Sequence, residues 1–236
     1  MDSDSNVIHN NALVLDSASF FLTGYDSSLE ASGVDSFNIM APWPADSFEP
    51  AVARMEQYHA LVKREHRLVI ANTAADIEAA KTAGKKAIVL GAQDSSFIGT
   101  SLQRLDTFQR LGLRYMQLTY NERNLVGDGC AEPTDAGLSR FGREVVKALP
   151  NAGIVMDLTH SGNRTALDAL KLAKSPVIAS HANPRSLYDN PRNLTDDVIR
   201  GIADTNGVVG CTLPSPFNYA GGEQLPTLDA FAAAIE

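Results

Sequence analysis

The chain has 236 residues, of which 44% are hydrophobic, with a formal net charge of -8 and a pI of about 5.1. A chain of this length and apolar content can bury one substantial core. The acidic balance argues against nucleic-acid and anionic-membrane partners, and no run of about 18 apolar residues is present to span a bilayer. The first residues lack the basic and apolar segments of a secretion signal, so a cytoplasmic location is expected.

The two cysteines, Cys130 and Cys211, form no C-x-x-C pattern, so neither a metal-binding nor a redox motif is indicated. Free buried thiols are the preferred interpretation, and a disulfide between them is the alternative. The sequence therefore offers no chemistry based on cysteine.

The first part of the chain alternates between short apolar runs and helical patterns. Residues 1–11 are polar and predict a tail in front of a single domain at 12–236. A first strand is predicted over 12–16 and a second within 33–40, where two following prolines end the strand. Apolar residues at three- and four-residue spacing predict a helix over 48–65.

The alternation continues through the rest of the chain. Residues 68–71 are too few to separate a small strand from a packed loop. Thr73 and Asp76 resemble a capping box that opens a helix, which Gly84 ends. Strands are then predicted at 86–93, 114–120 and 207–213, and helices at 101–111, 138–149, 196–204 (capped by Thr195) and 227–235.

Two short apolar runs, at 153–160 and 176–181, each end in a histidine, with a helix predicted between them at 165–174. This order makes the two strands parallel and puts His160 and His181 at their carboxyl ends, on one face of the sheet. Ligands and catalytic groups of parallel α/β sheets gather on that face. The pattern suits a metal site, of which two histidines are only a part.

The alternation of strands and helices predicts an α/β fold with a parallel sheet covered by helices. Seven main strand–helix units can be counted, one fewer than a closed (β/α)8 barrel contains. We therefore expect a TIM-like (β/α)8 barrel that lacks its eighth strand–helix unit, in a domain that is incomplete at its C-terminal end. A doubly wound open sheet is the alternative, but no Gly-x-Gly-x-x-Gly follows the first strand.

Four segments carry a resemblance to a known family. They are 135–146 (Asp-Ala-Gly-Leu-Ser-Arg-Phe-Gly-Arg-Glu-Val-Val), 153–161, 176–182 and 191–200. In order and spacing they resemble the membrane dipeptidase (renal dipeptidase) family, with a continuous match from about residue 86 to about residue 213. The resemblance implies a (β/α)8 barrel and zinc-dependent hydrolysis of dipeptides at two metal ions that a glutamate bridges.

The resemblance also assigns roles to individual positions. His160 and His181 match the histidines that bind one zinc ion, and Arg192 matches the arginine that holds the substrate carboxylate. A planar bidentate donor is suited to that task. Tyr120 falls where the family has a histidine that contacts the substrate. Arg192 and Tyr120 are therefore the candidate substrate-binding residues.

Several ligands of the family's metal site are missing from the matching positions. The family begins its first strand with Asp-x-His-x-Asp, and Ala18 and Phe20 stand where its histidine and second aspartate bind zinc. Gln93 replaces the bridging glutamate and is a neutral, poorer ligand. The aspartate expected after an eighth strand has no counterpart before Glu236. The catalytic residues therefore remain unassigned.

The remaining ligands predict one zinc ion at most. Catalytic zinc usually has three protein ligands, so Asp16 or the amide oxygen of Gln93 would have to join the two histidines. On this basis the protein is expected to be a dipeptidase-like metallohydrolase of dipeptides or other small amides. The alternative is a catalytically inactive homologue that acts as a small-molecule binding protein or as a pathway accessory.

Each candidate position also has an ordinary structural interpretation. The two histidines would then be hydrogen-bonded at strand ends without a metal, and Tyr120 would pack at the barrel mouth. Arg192 would form an ion pair with Asp189 or Asp196. The polar residues at 121–124, which open a long loop, would be either a binding site or a solvated surface.

A barrel without its eighth unit leaves two strand edges with unpaired backbone groups. We expect these edges to pair with a second copy of the chain or with the rest of a longer protein. Apart from such a homo-oligomer, the expected partner is a dipeptide or another small molecule, with no role for nucleic acid or membrane.

Overall fold

The computed structural model describes residues 4–19, 27–212 and 228–235. Residue 213 of the last predicted strand and residue 227 of the last predicted helix lie outside these ranges. A parallel sheet forms the centre of the molecule. Its strands are β1 (Leu15–Ser19), β2 (Ser36–Met40), β3 (Leu68–Ile70), β4 (Lys86–Ala92), β5 (Leu113–Gln117), β6 (Val155–Asp157), β7 (Ile178–Ala179) and β8 (Val208–Val209).

Helices follow most of the strands. No helix within the described ranges is long and apolar enough to cross a membrane. The helices are α1 (Asp4–Asn11), α2 (Ser27–Ala31), α3 (Phe48–Arg64), α4 (Ala74–Thr82), α5 (Gln103–Arg110), α6 (Arg140–Ala152), α7 (Asn163–Leu170), α8 (Asp196–Asp204) and α9 (Leu228–Ala233), with a short 3-10 helix at Ser96–Ile98.

The sheet follows the order β1-β2-β4-β5-β6-β7-β8, and all of these pairings are parallel. β2 lies along one edge of β4, while β3 and β5 share its other edge. β3 pairs with the first residues of β4 and β5 with the last. Within the described residues, seven strands therefore form the main path. The TIM-like α/β barrel that the sequence predicts is confirmed, with seven strands on the main path of the described residues.

The main core lies between the sheet and its outer helices. Phe37 and Ile39 of β2 and Leu90 of β4 lie on the same face of the sheet and belong to one buried cluster with Met55 of α3. A smaller cluster joins Ala87 of β4 to apolar residues of α4. Because both faces of β4 are covered, its apolar run is continuous rather than alternating, as is typical of a strand in a parallel sheet.

The start of the chain departs from the sequence-based expectation. β1 begins its pairing at Leu15 and runs through Ser19, later than the apolar run at 12–16 predicts. The strand begins at Leu15 because this residue is the one aligned with Ser36, the first residue of β2. The polar segment at 1–11, expected to be a tail, contains the helix α1.

The two predicted helix caps have different outcomes. The Thr73 hydroxyl accepts from the Asp76 N–H and the Asp76 carboxylate accepts from the Thr73 N–H, so the capping box of α4 is confirmed. Thr195 stands directly before α8, but its hydroxyl donates to the side chain of Asn163. The prediction that the Thr195 side chain caps α8 is wrong, because that hydroxyl is bound to α7 instead.

β1 and β8 are the two ends of the sheet path and do not pair with each other in the described residues. β1 nevertheless approaches the end of β7, since Ser17 Oγ donates to the carbonyl oxygen of Ser180 at 2.6 Å. Leu15 on β1 and Val208 on β8 are apolar and exposed, at 46% and 66%. We propose that these edges associate with a second copy of the chain.

Charged substitutions on these edges test the proposal. We expect the wild-type chain to be a dimer or larger by size-exclusion chromatography with light scattering. Leu15→Lys and Val208→Lys should shift it towards the monomer, because a charge on an edge strand opposes strand pairing. Leu187→Lys, at an apolar residue that is 54% exposed outside the sheet, is the matched control. A wild-type monomer would contradict the proposal.

Gly91 allows close packing on the inner side of the sheet. A Cβ atom at Gly91 would lie 1.9 Å from Cζ of Tyr115, well inside van der Waals contact. The Tyr115 hydroxyl in turn donates to Sδ of Met40 at 3.4 Å, so the ring lies across β4 and reaches β2. The absence of a side chain at Gly91 is therefore what lets this ring fill the space beneath the carboxyl-end cavity.

We expect Gly91→Ala to lower the free energy of unfolding by about 1–3 kcal/mol, because the added methyl group meets a buried ring. Urea unfolding of Gly91→Ala, Tyr115→Ala and the double variant measures the effect. Removal of the ring should make the glycine substitution much less costly. Additive effects of the two substitutions would show that the clash is absent.

Candidate active site

The carboxyl ends of the strands surround a cavity of about 930 Å³. Its wall includes His160, His181, Gln93, Tyr120 and Arg192, which are the five candidate residues of the sequence analysis. These residues come from the ends of different strands and from the loops that follow them. A parallel sheet brings such positions together on one face.

His160 and His181 lie side by side, as the strand order predicts. Their Nε2 atoms are 3.1 Å apart, and their rings are inclined by 66°. Burial, reinforced by the charge of Arg192, lowers the pKa of His160 far below its usual value. Burial and the same charge also lower the pKa of His181. Both rings are therefore neutral at neutral pH, which is the form that binds metal ions.

The contact of Arg192 with His160 determines which ring nitrogen carries the proton. Nη2 of Arg192 lies 3.3 Å from Nε2 of His160 and also donates to the carbonyl oxygen of His181 at 2.6 Å. A guanidinium group has donors only, so Nε2 of His160 must accept. The ring proton then resides on Nδ1, where it donates to Oδ1 of Asn121 at 2.7 Å.

His181 is held from both sides by short polar contacts. Its Nδ1 lies 2.8 Å from Oγ of Ser180, and its Nε2 lies 3.4 Å from the side-chain amide of Gln93. With the lone pair of His160 Nε2 facing it, His181 Nε2 donates, and Ser180 donates to Nδ1. The oxygen of the Gln93 carboxamide then faces the ring, an orientation that the amide reaches by rotation.

Arg192 is buried at the wall of the cavity rather than exposed on the loop. Only 6% of the residue is accessible, and burial lowers the pKa of its guanidinium to about 10. Asp189 and Asp196, its alternative partners from the sequence, form ion pairs with Arg185 and Arg200. The position of Arg192 beside the histidines fits ligand recognition.

Tyr120 stacks against the histidine pair. Its ring centroid lies 4.2 Å from that of His160, at an interplanar angle of 35°. The ring therefore packs on the imidazole and also faces the cavity, so both interpretations of this residue apply to it.

The backbone at His160 is held in an unusual conformation. Its φ is 66°, in the left-handed region that residues other than glycine seldom adopt, and Asn121 has a φ of 55°. The carbonyl oxygen of His160 accepts from the N–H of Cys130 at 2.9 Å. The loop at 121–137 thus holds both the backbone and the imidazole of this histidine.

The polar residues at 121–124 are largely structural. The Asn124 amide donates to Asp94 and to the carbonyl oxygen of Leu118, and its oxygen accepts from two N–H groups of the same loop. Arg123 pairs with Asp128, which is only 2% exposed. Glu122 and Arg123 are nevertheless exposed, so the segment is partly solvated, while Asn121 and Asn124 hold the loop.

The other wall residues include the first strand and both cysteines. Asp16 and Ala18 line the cavity, and the Asp16 carboxylate accepts from the N–H of Ala18 and the hydroxyl of Ser19. Phe20 lies outside the described residues. Cys130 and Cys211 are free thiols, as expected, but they are half-buried rather than fully buried.

The model of the membrane dipeptidase family (peptidase family M19) matches residues 18–236. The chain belongs to the membrane dipeptidase family. An uncharacterized dipeptidase of Schizosaccharomyces pombe is 35% identical over 163 residues, which cover 67% of this chain and 39% of that protein. Dipeptidase verJ of Clonostachys rogersoniana is 31% identical over 194 residues, which cover 81% of this chain and 49% of that protein.

A crystal structure of an amidohydrolase from Pseudomonas aeruginosa has the same fold. It is 31% identical to this chain with a TM-score of 0.89, and the match covers 97% of this chain and 70% of that one. The chain spans less than half the length of the two dipeptidase relatives. The comparisons thus establish the family and the barrel fold.

Within the dipeptidase fold, the imidazole pair is spaced as two ligands of one zinc ion would be. Nitrogen atoms bound at about 2.0–2.1 Å on a tetrahedral ion lie about 3.3 Å apart, close to the 3.1 Å observed. In the described part of the chain, no three His, Cys, Asp or Glu side chains are placed to share an ion. Asp16 therefore does not complete a set with the histidines, and the nearest further donor is the amide of Gln93.

Asp157 supports the site of this dipeptidase homologue from below and was not singled out by the sequence analysis. It ends β6 and is fully buried, with Oδ1 accepting from the N–H groups of Thr159 and Ser180. Its Oδ2 accepts from the side chain of Gln117 at 3.3 Å. The carboxylate thus ties together the two strand ends that carry the histidines. An acidic residue at the end of an apolar strand was the available signal.

Asp128 gives a pH-dependent test of the loop that holds His160. Its hydrogen bond with Arg123 lowers the pKa of the Asp128 carboxyl group. A carboxyl group with a lower pKa in the folded state stabilises the protein above its unfolded pKa of about 3.9. That stabilisation is lost as the pH falls through the folded value.

We expect Asp128→Asn to lower the free energy of unfolding at pH 7 by about 1–3 kcal/mol, because buried donors lose a charged acceptor. The difference in the free energy of unfolding between Asp128→Asn and the wild type should become smaller below about pH 4. Urea unfolding at both pH values measures it. Asp197→Asn, at an exposed ion pair on α8, is the matched control and should change little. If Asp128→Asn lowers the free energy of unfolding equally at both pH values, the ionised carboxylate is not the source of the stabilisation.

Proposed function

We propose that the chain is a dipeptidase-type hydrolase of dipeptides or other small amides that carry a free carboxylate, and that it works with at most one zinc ion. The observation that carries this proposal is the placement of His160, His181 and Arg192 in one cavity. The first two would bind the ion, and the third would bind the carboxylate. Family membership supports the class of reaction.

The cavity suits a small, polar substrate. Its volume of about 930 Å³ is within the range of small-molecule sites. Arg192 offers a buried, planar, bidentate donor for a carboxylate, and Tyr120 presents a ring and a hydroxyl beside it. Asp16, on β1, adds an acidic group to the wall of the same cavity. The substrate class that fits is a zwitterion such as a dipeptide.

The histidines would hold the ion with defined orientations. Asn121 accepts from Nδ1 of His160, and metal binding by His181 would need the tautomer in which its Nδ1 donates to Ser180, so that the two Nε2 atoms, 3.1 Å apart, both offer lone pairs. Gln93 would add its amide oxygen as a neutral third ligand. A bound zinc ion would lower the pKa of a water molecule and polarise the amide carbonyl.

The second candidate function is that of a metal-free homologue that binds a small molecule or assists a pathway. The contact of Arg192 with Nε2 of His160 favours it, because a cation already faces the lone pair that zinc would need. The shortage of acidic ligands in the described residues favours it as well. Both functions use the same cavity and the same carboxylate recognition.

Zinc content and dipeptide hydrolysis together test the proposal. After dialysis against metal-free buffer, we expect elemental mass spectrometry to find about one zinc ion per chain. His160→Ala and His181→Ala should each lose the ion and the hydrolysis of L-Ala-L-Ala, because two ligands are the minimum here. His66→Ala, at an exposed histidine outside the cavity, is the matched control.

Other outcomes of this experiment are equally informative. Two zinc ions per chain would contradict a one-ion site. If the chain contains no zinc and does not hydrolyse the dipeptide, but isothermal titration calorimetry still detects dipeptide binding, the hydrolase proposal is wrong. The metal-free binding protein then becomes the supported function. Hydrolysis that survives both histidine substitutions would contradict the assigned site.

A further inference from the structure

A second cleft lies beside the active-site cavity. It has a volume of about 290 Å³, and its lining residues belong to the loops that follow β2, β4 and β5. Tyr120 and Asn121 line this second cleft and also line the cavity of about 930 Å³ that contains the histidines. These two residues therefore form a partition between the two spaces.

The far wall of the second cleft is a preformed structure. Asp94 is only 4% exposed, and its Oδ2 accepts from the N–H of Ala45 at 3.0 Å while its Oδ1 accepts from the amide of Asn124 at 2.6 Å. Ala45 has a φ of 61°, a conformation that persists in residues other than glycine only where the surroundings hold it. The loops after β2 and β5 are thus joined through one buried carboxylate, so the cleft is not a gap between loosely packed loops.

The Tyr120 ring is the part of the partition that a substrate would meet. Asn121 is fixed by the hydrogen bond that its Oδ1 accepts from Nδ1 of His160 at 2.7 Å. The Tyr120 ring packs on the same imidazole, with the centroids 4.2 Å apart, and its hydroxyl makes no hydrogen bond to any residue that the structure describes. The ring is thus placed by packing alone, and its removal would join the cavity to the cleft.

The carboxylate end of a substrate would lie next to this ring. In the proposed function Arg192 binds the carboxylate, and Nη2 of Arg192 lies 3.3 Å from Nε2 of His160, the imidazole on which Tyr120 packs. The residue that carries the carboxylate is therefore the substrate residue nearest to Tyr120. Its side chain would face the ring, and a long side chain would need the space that lies beyond the ring.

We propose that Tyr120 restricts the substrate to a short side chain on its carboxylate-bearing residue, because the ring separates the active-site cavity from the second cleft. The inference rests on the proposed function for the position of the carboxylate and narrows its substrate class, and it holds whether or not a metal ion is bound. Glycine and alanine are the residues that fit at that end. The polar wall of the cleft, which includes Ser96 and Asn124, would accept a longer polar side chain only once the ring is absent.

Calorimetric titration with uncleavable dipeptide analogues tests this restriction. The analogues of Ala-Ala, Ala-Gln and Gln-Ala carry a CH2–NH link in place of the amide, so they cannot be hydrolysed during the titration. We expect the wild type to bind the Ala-Gln analogue at least about tenfold more weakly than the Ala-Ala analogue, since a pocket distinguishes even one methylene group by about 10–200-fold. The Gln-Ala analogue has the same composition as the Ala-Gln analogue. It should lose much less affinity, because its long side chain is at the end away from Tyr120.

Two substitutions of Tyr120 separate the ring from its hydroxyl. Tyr120→Ala should raise the affinity for the Ala-Gln analogue at least about tenfold relative to the Ala-Ala analogue, because the long side chain can then enter the cleft. Tyr120→Phe keeps the ring and should keep the wild-type selectivity. Phe231 belongs to the wall of the cavity and not to the described wall of the second cleft, so Phe231→Ala is the matched control and should also keep that selectivity. The comparison of analogues in the wild type stands even if Tyr120→Ala does not fold.

The outcomes distinguish this inference from the proposed function. Equal affinity of the wild type for the Ala-Ala and Ala-Gln analogues would overturn the restriction on side-chain length and leave the proposed function intact. A selectivity that Tyr120→Ala retains, or that Phe231→Ala loses to the same extent as Tyr120→Ala, would overturn the role of the Tyr120 ring. If the wild type binds none of the three analogues, both the restriction and the carboxylate site of the proposed function are wrong.

Discussion

The candidate site depends on the turn at His160, where the chain leaves β6 with a φ of 66°. A left-handed conformation at a residue other than glycine costs roughly 1–3 kcal/mol and persists only where its surroundings hold it. Here the N–H of Cys130 binds the His160 carbonyl, and the amide of Asn121 binds its ring. The loop at 121–137 is therefore part of the site, because it keeps the imidazole directed at His181.

One buried cation and one buried anion set the charge around the histidines. Arg192 is a buried cation on one side of the two neutral rings, and Asp157 is a buried anion below them. Asp157 is bound by backbone N–H groups and by Gln117, so it remains available as a distant counter-charge rather than a ligand. Any divalent ion bound beside the rings would need its charge offset by ligands that the described residues do not group there.

The fold and the meeting of the histidines could be predicted because both follow from strand order. Parallel strands end on one face, so an apolar run that ends in a histidine places that histidine without knowledge of any contact. The start of β1 could not be predicted in this way, because it depends on the register with Ser36. The contact of Arg192 with His160 joins loops that are distant in sequence, and it depends on side-chain orientation. No spacing rule reports such an orientation.

Gln93 has a different role in each of the two candidate functions. Its side-chain nitrogen lies 3.4 Å from Nε2 of His181, and rotation of the amide would place the oxygen there instead. In a metal-bound arrangement the same oxygen would be a weak neutral ligand. A neutral amide is therefore compatible both with the proposed hydrolase and with the metal-free binding protein.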